Sequence, residues 1–347
     1  MKTKIIIDPT TNILFSSFYI KGLYDLFGKR NVHFAYSMEF FKELKRKNVS
    51  FSFDQYLAFV IIEDKKIFRV IIDYRDSSNI EERAYNWCNI YAKINLNIEL
   101  TNPIFLSKII NIPPGFAINL WGFWKTMFFC FRNIIFSGLI LPTTFKTHLS
   151  YYYYQFKRPN IEELHFKSKS KKDYVFFNST LWRNKSTLLT TNVWRKKFVE
   201  ECLSNENIKF EGGFYAKQTH PDYENYKNFS FPKKIKSNEY FSKTKKSALV
   251  FNTPAVMDCH GWKLGEFMAM GKAIISTPLK NKIPFGLVHG ENVHFIESKS
   301  KIKPAINKII SDDEYKKKLE EGAFKYFHNY ATPKNVIKQV YDSLDKQ

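Results

Sequence analysis

The segment ALVFNTPAVMDCHGWKLGEFMAMGKAIISTP, residues 248–278, decides the fold. Ala248–Asn252 is an apolar run of strand length, and Ala273–Thr277 is a second one with β-branched residues. Between them Trp262–Met270 carries apolar residues at helical spacing, and Gly271 stands where a helix is capped. Strand, helix and strand in that order make a βαβ unit, which predicts parallel strands. Two carboxylates frame the helix start: Asp258 in the preceding loop and Glu266 about one turn in.

Those residue types fit a definite chemistry. Gly261 lets a ligand approach the backbone closely. The first helical turn offers N–H groups and a positive dipole end, which together favour a phosphate. Lys263 adds a point charge there. Glu266 can accept two adjacent hydroxyls, as a ribose presents them, and Asp258 can reach a sugar beyond the phosphates. Thr253, directly after the incoming strand, and Trp262 complete the expected donor-binding set. A nucleotide-sugar presents ribose, diphosphate and sugar in that order. His260 reads as a loop residue.

The same alternation extends in both directions. Lys4–Asp8, Val32–Tyr36, Ile67–Asp73 and Ile90–Asn95 read as strands, with helices over Ser16–Phe27, ended by Gly28, and Ile80–Cys88. Ligands of such sheets bind beyond the carboxyl ends of the strands. Asp73, Arg75 and Asp76 fall at one such end, so Asp73 or Asp76 is a candidate base; Asp8, before proline, reads as a turn. After the basic stretch KSKSKK (167–172), strands are expected at Asp173–Asn178 and Ile208–Glu211, the latter ending in Gly212-Gly213, with a helix over Ser186–Leu203. Helices fill 302–311, 313–328 and 333–345. The expected organisation is an acceptor-side domain over 1–165, a basic linker at 166–172 and a donor domain over 173–332. The final helix, 333–347, is a candidate to pack back on the N-terminal domain. The fold class is α/β: two Rossmann-like domains facing each other across a cleft.

The order acid, seven residues, Glu, short apolar helix, Gly-Lys and β-branched strand resembles the donor site of two-domain (GT-B) glycosyltransferases. Within these, Asp258-x7-Glu266 is most similar to the E-x7-E signature of the "group 1" family, with Asp in place of the first Glu. "HGENVHFIE" (289–297) and the helices after it are similar too, so the likeness covers roughly 173–345. The resemblance implies glycosyl transfer from a nucleotide-sugar, UDP- or GDP-linked, with no further cofactor, and leans to retention of configuration. An inverting reaction would place Asp73 or Asp76 as the base. It also implies a basic pair after the first strand of the domain, for which Arg183 and Lys185 are the candidates. Asp258 would orient the donor sugar. Fixed cations and a helix start stabilise a leaving diphosphate without a metal. No D-x-D triplet occurs, which argues against the metal-dependent glycosyltransferase fold.

Composition sets the alternatives. The 347 residues carry a net charge of +21, with 44% hydrophobic and 17% aromatic residues. Such an excess suits nucleic acid, an anionic membrane or a phosphorylated small molecule. Scattered lysines and the lack of any nucleic-acid-binding pattern set the first aside. A non-catalytic protein at a membrane surface is the remaining rival to an enzyme. Leu120–Leu141 is long enough to span a bilayer, yet Lys125, Arg132 and Asn133 interrupt it. It reads as an interfacial segment or acceptor groove, ahead of a core helix and then a transmembrane span. The expected partners are a nucleotide-sugar, a lipid-linked bacterial surface glycan and an anionic membrane, at the inner face of the cytoplasmic membrane. The N-terminal apolar run is too short for a signal peptide. Cys88, Cys130, Cys202 and Cys259 lie far apart, which suggests free thiols and no zinc site.

Overall fold

The protein's structure, a computed structural model, describes residues 3–44, 56–64, 66–139, 141, 143–165, 170–183, 187, 190–231 and 234–344. The chain divides into two compact units. One comprises Met1–Ile161, Asn281–Pro284 and Tyr330–Gln347, the other Glu162–Lys280 and Phe285–Asn329.

The first unit is built on strands β1 (Lys4–Ile7), β2 (Val32–Phe34), β3 (Tyr56–Glu63), β4 (Lys66–Asp73), β5 (Ile90–Lys93) and β6 (Ile109–Asn111). They form one sheet of order β2–β1–β3–β4–β5–β6. The β1–β2, β4–β5 and β5–β6 pairs are parallel. The expectation of an all-parallel sheet fails at β3, which runs antiparallel to both β1 and β4. Glu63 pairs with Lys66, so β3 and β4 close as a hairpin. Tyr56–Ile61 is buried throughout, a strand covered on both faces and therefore without the alternation of a half-exposed one.

Helix α1 (Ile13–Phe27) starts where the Asn12 side chain accepts the N–H groups of Leu14 and Phe15, and Gly28 ends it at φ 82°. The C-terminal helix Pro333–Asp342 lies against α1. Contact there depends on Gly22, where a Cβ would stand 2.1 Å from the Pro333 carbonyl oxygen. Helices α2 (Glu82–Trp87), α3 (Phe123–Phe136) and α4 (Phe145–Phe156) complete the unit.

The second unit holds parallel strands β7 (Tyr174–Thr180) and β8 (Lys209–Tyr215), and a parallel trio β9 (Leu249–Asn252), β10 (Ala273–Ser276) and β11 (His294–Phe295). Ala248 N–H donates to the Tyr174 carbonyl at 2.7 Å, and Phe176 N–H donates to Ser247 Oγ at 2.8 Å. These bonds set β7 beside β9 in the order β8–β7–β9–β10–β11. Strand order reverses between β7 and β9, the kind of switch point at which open α/β sheets bind ligands. Helices α5 (Thr191–Leu203), α6 (Ser237–Lys246), α7 (Trp262–Ala269), α8 (Ile302–Ser311) and α9 (Asp313–Tyr326) surround the strands. The core joins Val175, Phe177, Phe198, Phe251, Ile275 and Ile306. Phe198 stacks on Phe251 with ring centroids 4.4 Å apart.

The Gly212-Gly213 pair does not end its strand, as expected, but continues inside β8. Gly212 pairs with Phe177 at φ +124°, and a Cβ there would lie 1.7 Å from the Phe177 carbonyl oxygen. Gly212→Ala therefore forces β8 off β7. It is expected to cost about 3 kcal/mol or more, read as a lower urea midpoint; an unchanged midpoint would show that the ladder relaxes freely.

Candidate functional site at the β7–β9 switch

The carboxyl ends of β7 and β9 bring Asn178, Ser179 and Thr253 beside α5 and the start of α7. Arg195 of α5 reaches between the strand ends. It is 7% exposed, with Nε donating to Thr253 Oγ1 at 2.9 Å and Nη1 to Ser179 Oγ at 2.8 Å. Among the described residues no carboxylate pairs with it. Desolvation brings its pKa down to about 10, partly offset by Cys259 and Tyr240. A buried guanidinium held only by neutral hydroxyls is costly.

Lys263, in the first turn of α7, points to the same place. Its ammonium donates to the Asn178 carbonyl and lies 5.5 Å from the Phe177 ring centroid. Desolvation first, then the Arg195 guanidinium, lowers its pKa to about 7, against the opposing pull of Glu266. Asn178 Nδ2 is buried with no protein acceptor among the described residues. Glu266, 3% exposed on α7, is the nearby carboxylate. Gly261 is the α7 N-cap and, lacking a side chain, leaves the first turn open to an external acceptor. Two basic side chains, an amide donor and a helix start thus converge at the ends of β7 and β9.

Of the residues expected from the sequence, the switch point gathers Glu266, Gly261, Trp262, Lys263 and Thr253. Asp258 lies in the loop between β9 and α7, where both Met257 (φ 54°) and Asp258 (φ 59°) are left-handed. Such strain clusters in functional loops. Its carboxylate pairs with Lys280 at 2.8 Å. Arg183, three residues past the end of β7, is exposed and donates to the Thr219 carbonyl at 3.3 Å; Lys185 lies outside the described residues. The structure adds a buried cation, Arg195, which the sequence reading missed. Its signal was present: Arg195, Phe198, Val199 and Cys202 share the buried stripe of α5, where a charge needs a reason. Lys272, the lysine of Gly-Lys, is buried and donates to the Lys245 carbonyl at 3.0 Å, a packing role.

Asp73 and Asp76 belong to the first unit. Asp73 is 0% exposed and accepts from Lys93 Nζ at 2.8 Å, Tyr91 Oη at 2.6 Å and Arg75 Nη2 at 2.8 Å. Burial alone would raise its pKa, but Lys93 and Arg75 outweigh it and hold the group at about 2. So buried and so fully paired, Asp73 is an ion-pair anchor at the end of β4. Asp76, three residues on, is exposed. Among the described residues no group of three or more His, Cys, Asp or Glu is arranged to hold a metal ion.

No protein-family model and no curated protein matches the chain. Solved structures do. The C-terminal domain of a group 1 family glycosyl transferase, LpcC, from Francisella tularensis aligns over 48% of this chain and 95% of its own, at 14% identity and a TM-score of 0.36. TarM aligns over 78% of this chain and 47% of its own, at 10% identity and 0.44. The pneumococcal O-GlcNAc transferase GtfA, solved with UDP and GlcNAc, aligns over 84% and 64%, at 11% identity and 0.40. The chain thus spans about half of TarM and under two thirds of GtfA.

Proposed function

We propose that the second unit binds a nucleotide-sugar and that the protein is a glycosyltransferase. The observation that carries this reading is Arg195, a buried guanidinium whose hydrogen-bond partners among the described residues are hydroxyls, beside Lys263 at the start of α7. A diphosphate supplies the missing negative charge. Arg195, Lys263 and the Gly261 turn hold it; Glu266 takes the ribose hydroxyls, and Asp258, on its strained loop, orients the sugar. As the glycosidic bond breaks, charge develops on the departing nucleotide diphosphate, and preformed cations stabilise it with little reorganisation. That role needs no metal. The resemblance of residues 257–278 to the group 1 donor site supports the same assignment and favours retention. For an inverting course Asp73 or Asp76 is the base to test, Asp76 being exposed and Asp73 held in ion pairs. The acceptor in this reading is a lipid-linked bacterial surface glycan, met at the inner face of the cytoplasmic membrane.

A thermal-shift panel of UDP, GDP and their sugar derivatives tests the donor half. A ligand at a hundred times its Kd stabilises by about 2.7 kcal/mol, so one base family is expected to raise the melting temperature and Arg195→Met to abolish the rise. A flat response to every nucleotide at millimolar concentration would refute a nucleotide site.

A further inference from the structure

The aromatic segment in the first unit folds as a helix turned inside out. Along α3, Trp124, Phe128, Phe131 and Ile135 fall on one stripe, at spacings of four, three and four. They are 83%, 59%, 49% and 58% exposed. The opposite stripe, Thr126, Cys130, Asn133 and Ser137, is the buried one. Asn133 Nδ2 donates to Tyr152 Oη at 2.8 Å, and Thr126 Oγ1 donates to the Trp121 carbonyl at 3.2 Å. Polar bonds, with Phe129 stacked on the buried Trp121 at 4.5 Å between ring centroids, therefore fix this helix inward while Trp124, Phe128 and Phe131 face outward. A contiguous apolar face of this kind marks an interaction site.

Charge selects the partner. From Leu100 to Ile161 the sequence contains no Asp or Glu, but has Lys108, Lys125, Arg132, Lys146, Lys157 and Arg158. Two of these cations flank the stripe: the Arg132 guanidinium is 5.8 Å from the Phe128 centroid, and Lys125, next to Trp124, is exposed. Aromatic rings with interleaved cations match the boundary between acyl chains and anionic headgroups. Among the described residues no helix is long and apolar enough to cross a membrane. The 14 residues of α3 span about 21 Å, short of a hydrocarbon core of roughly 30 Å.

We propose that α3 docks the first unit onto an anionic lipid surface. It lies in the interfacial plane with Trp124, Phe128, Phe131 and Ile135 inserted and Lys125 and Arg132 at the headgroup phosphates. This deepens the acceptor reading by naming the surface on which a lipid-linked glycan is met. It stands on α3 alone, so its failure leaves the donor site untouched.

Flotation of the full chain with phosphatidylglycerol-containing or pure phosphatidylcholine vesicles tests it. Binding is expected on the anionic vesicles and to weaken as salt rises. Trp124→Asp with Phe128→Asp is expected to lower the partition coefficient more than tenfold, and Lys125→Gln roughly fivefold. The nucleotide thermal shift, read on the same samples, should persist and reports folding. Should the double variant unfold, Trp124→Ala, at the most exposed ring, serves with the same expected direction. Equal binding to both vesicle types, or unchanged partition of a folded variant, overturns the proposal. So does a dimer that Trp124→Asp dissociates, because a second copy then covers this face.

Discussion

Glu266→Ala is expected to lower kcat/KM for sugar transfer roughly a hundredfold or more while the far-UV circular dichroism stays that of the wild type. The carboxylate is 3% exposed, on an α7 whose neighbouring residues are buried, and it bears electrostatically on Lys263. Inside such a site a hydrogen-bonded carboxylate orients a ribose strongly, because its competitor, water, is largely excluded. Glu266 also tempers the positive charge of Lys263, and the two roles separate by experiment. Were it only a counter-charge, Glu266→Gln would act through Lys263 and change the affinity for pyrophosphate as much as that for the nucleotide-sugar. As a ribose ligand, the glutamine variant keeps the side-chain shape but loses one acceptor, so KM for the nucleotide-sugar rises beyond any change for pyrophosphate. Near-normal turnover by a folded Glu266→Ala protein would remove this residue from the site.

The second unit was largely legible because periodicity, glycine placement and strand length agree over 248–278. There Leu249–Asn252, Trp262–Ala269 and Ala273–Ser276 fall within a residue or two of expectation. The first unit was less so. Its antiparallel β3 lies under two covered faces, so YLAFVIIE lacks the alternation that marks a strand, and its direction depends on a partner distant in sequence. Arg195 was hidden for a related reason. A charge on a buried stripe signals a ligand only once the strand ends it faces are known. Asp73 shows the complementary limit: its place at the carboxyl end of β4 was legible, whereas its bonds to Lys93 and Tyr91, from β5, were not. Position along a strand can be read locally; which side chains neutralise one another across strands cannot.

Lys263 gives the second large effect, and its sign follows from the charge balance. In the free protein its pKa lies at about 7. A diphosphate beside the ammonium raises that value, so binding takes up a proton above pH 7. Affinity for an intact nucleotide-sugar, whose diphosphate diester does not titrate in this range, is expected to be flat below pH 7. Above it, affinity falls by up to about tenfold per pH unit until the bound-state pKa is reached. Lys263→Arg should flatten that fall, and Lys263→Met should bind weakly at every pH. Stability moves the other way. The unfolded lysine titrates at 10.5 and the folded one at about 7, so between those values the unfolded chain holds the extra proton and stability rises with pH. The penalty is fully present below pH 7 and gone above 10.5. Lys263→Met is therefore expected to melt higher than the wild type at pH 6 while losing the donor, a site kept at the expense of fold stability. Isothermal titration across pH 6–9 decides the matter: a pH-independent Kd for the wild type, or a Lys263→Met variant that binds the donor as well, would place Lys263 outside the phosphate site.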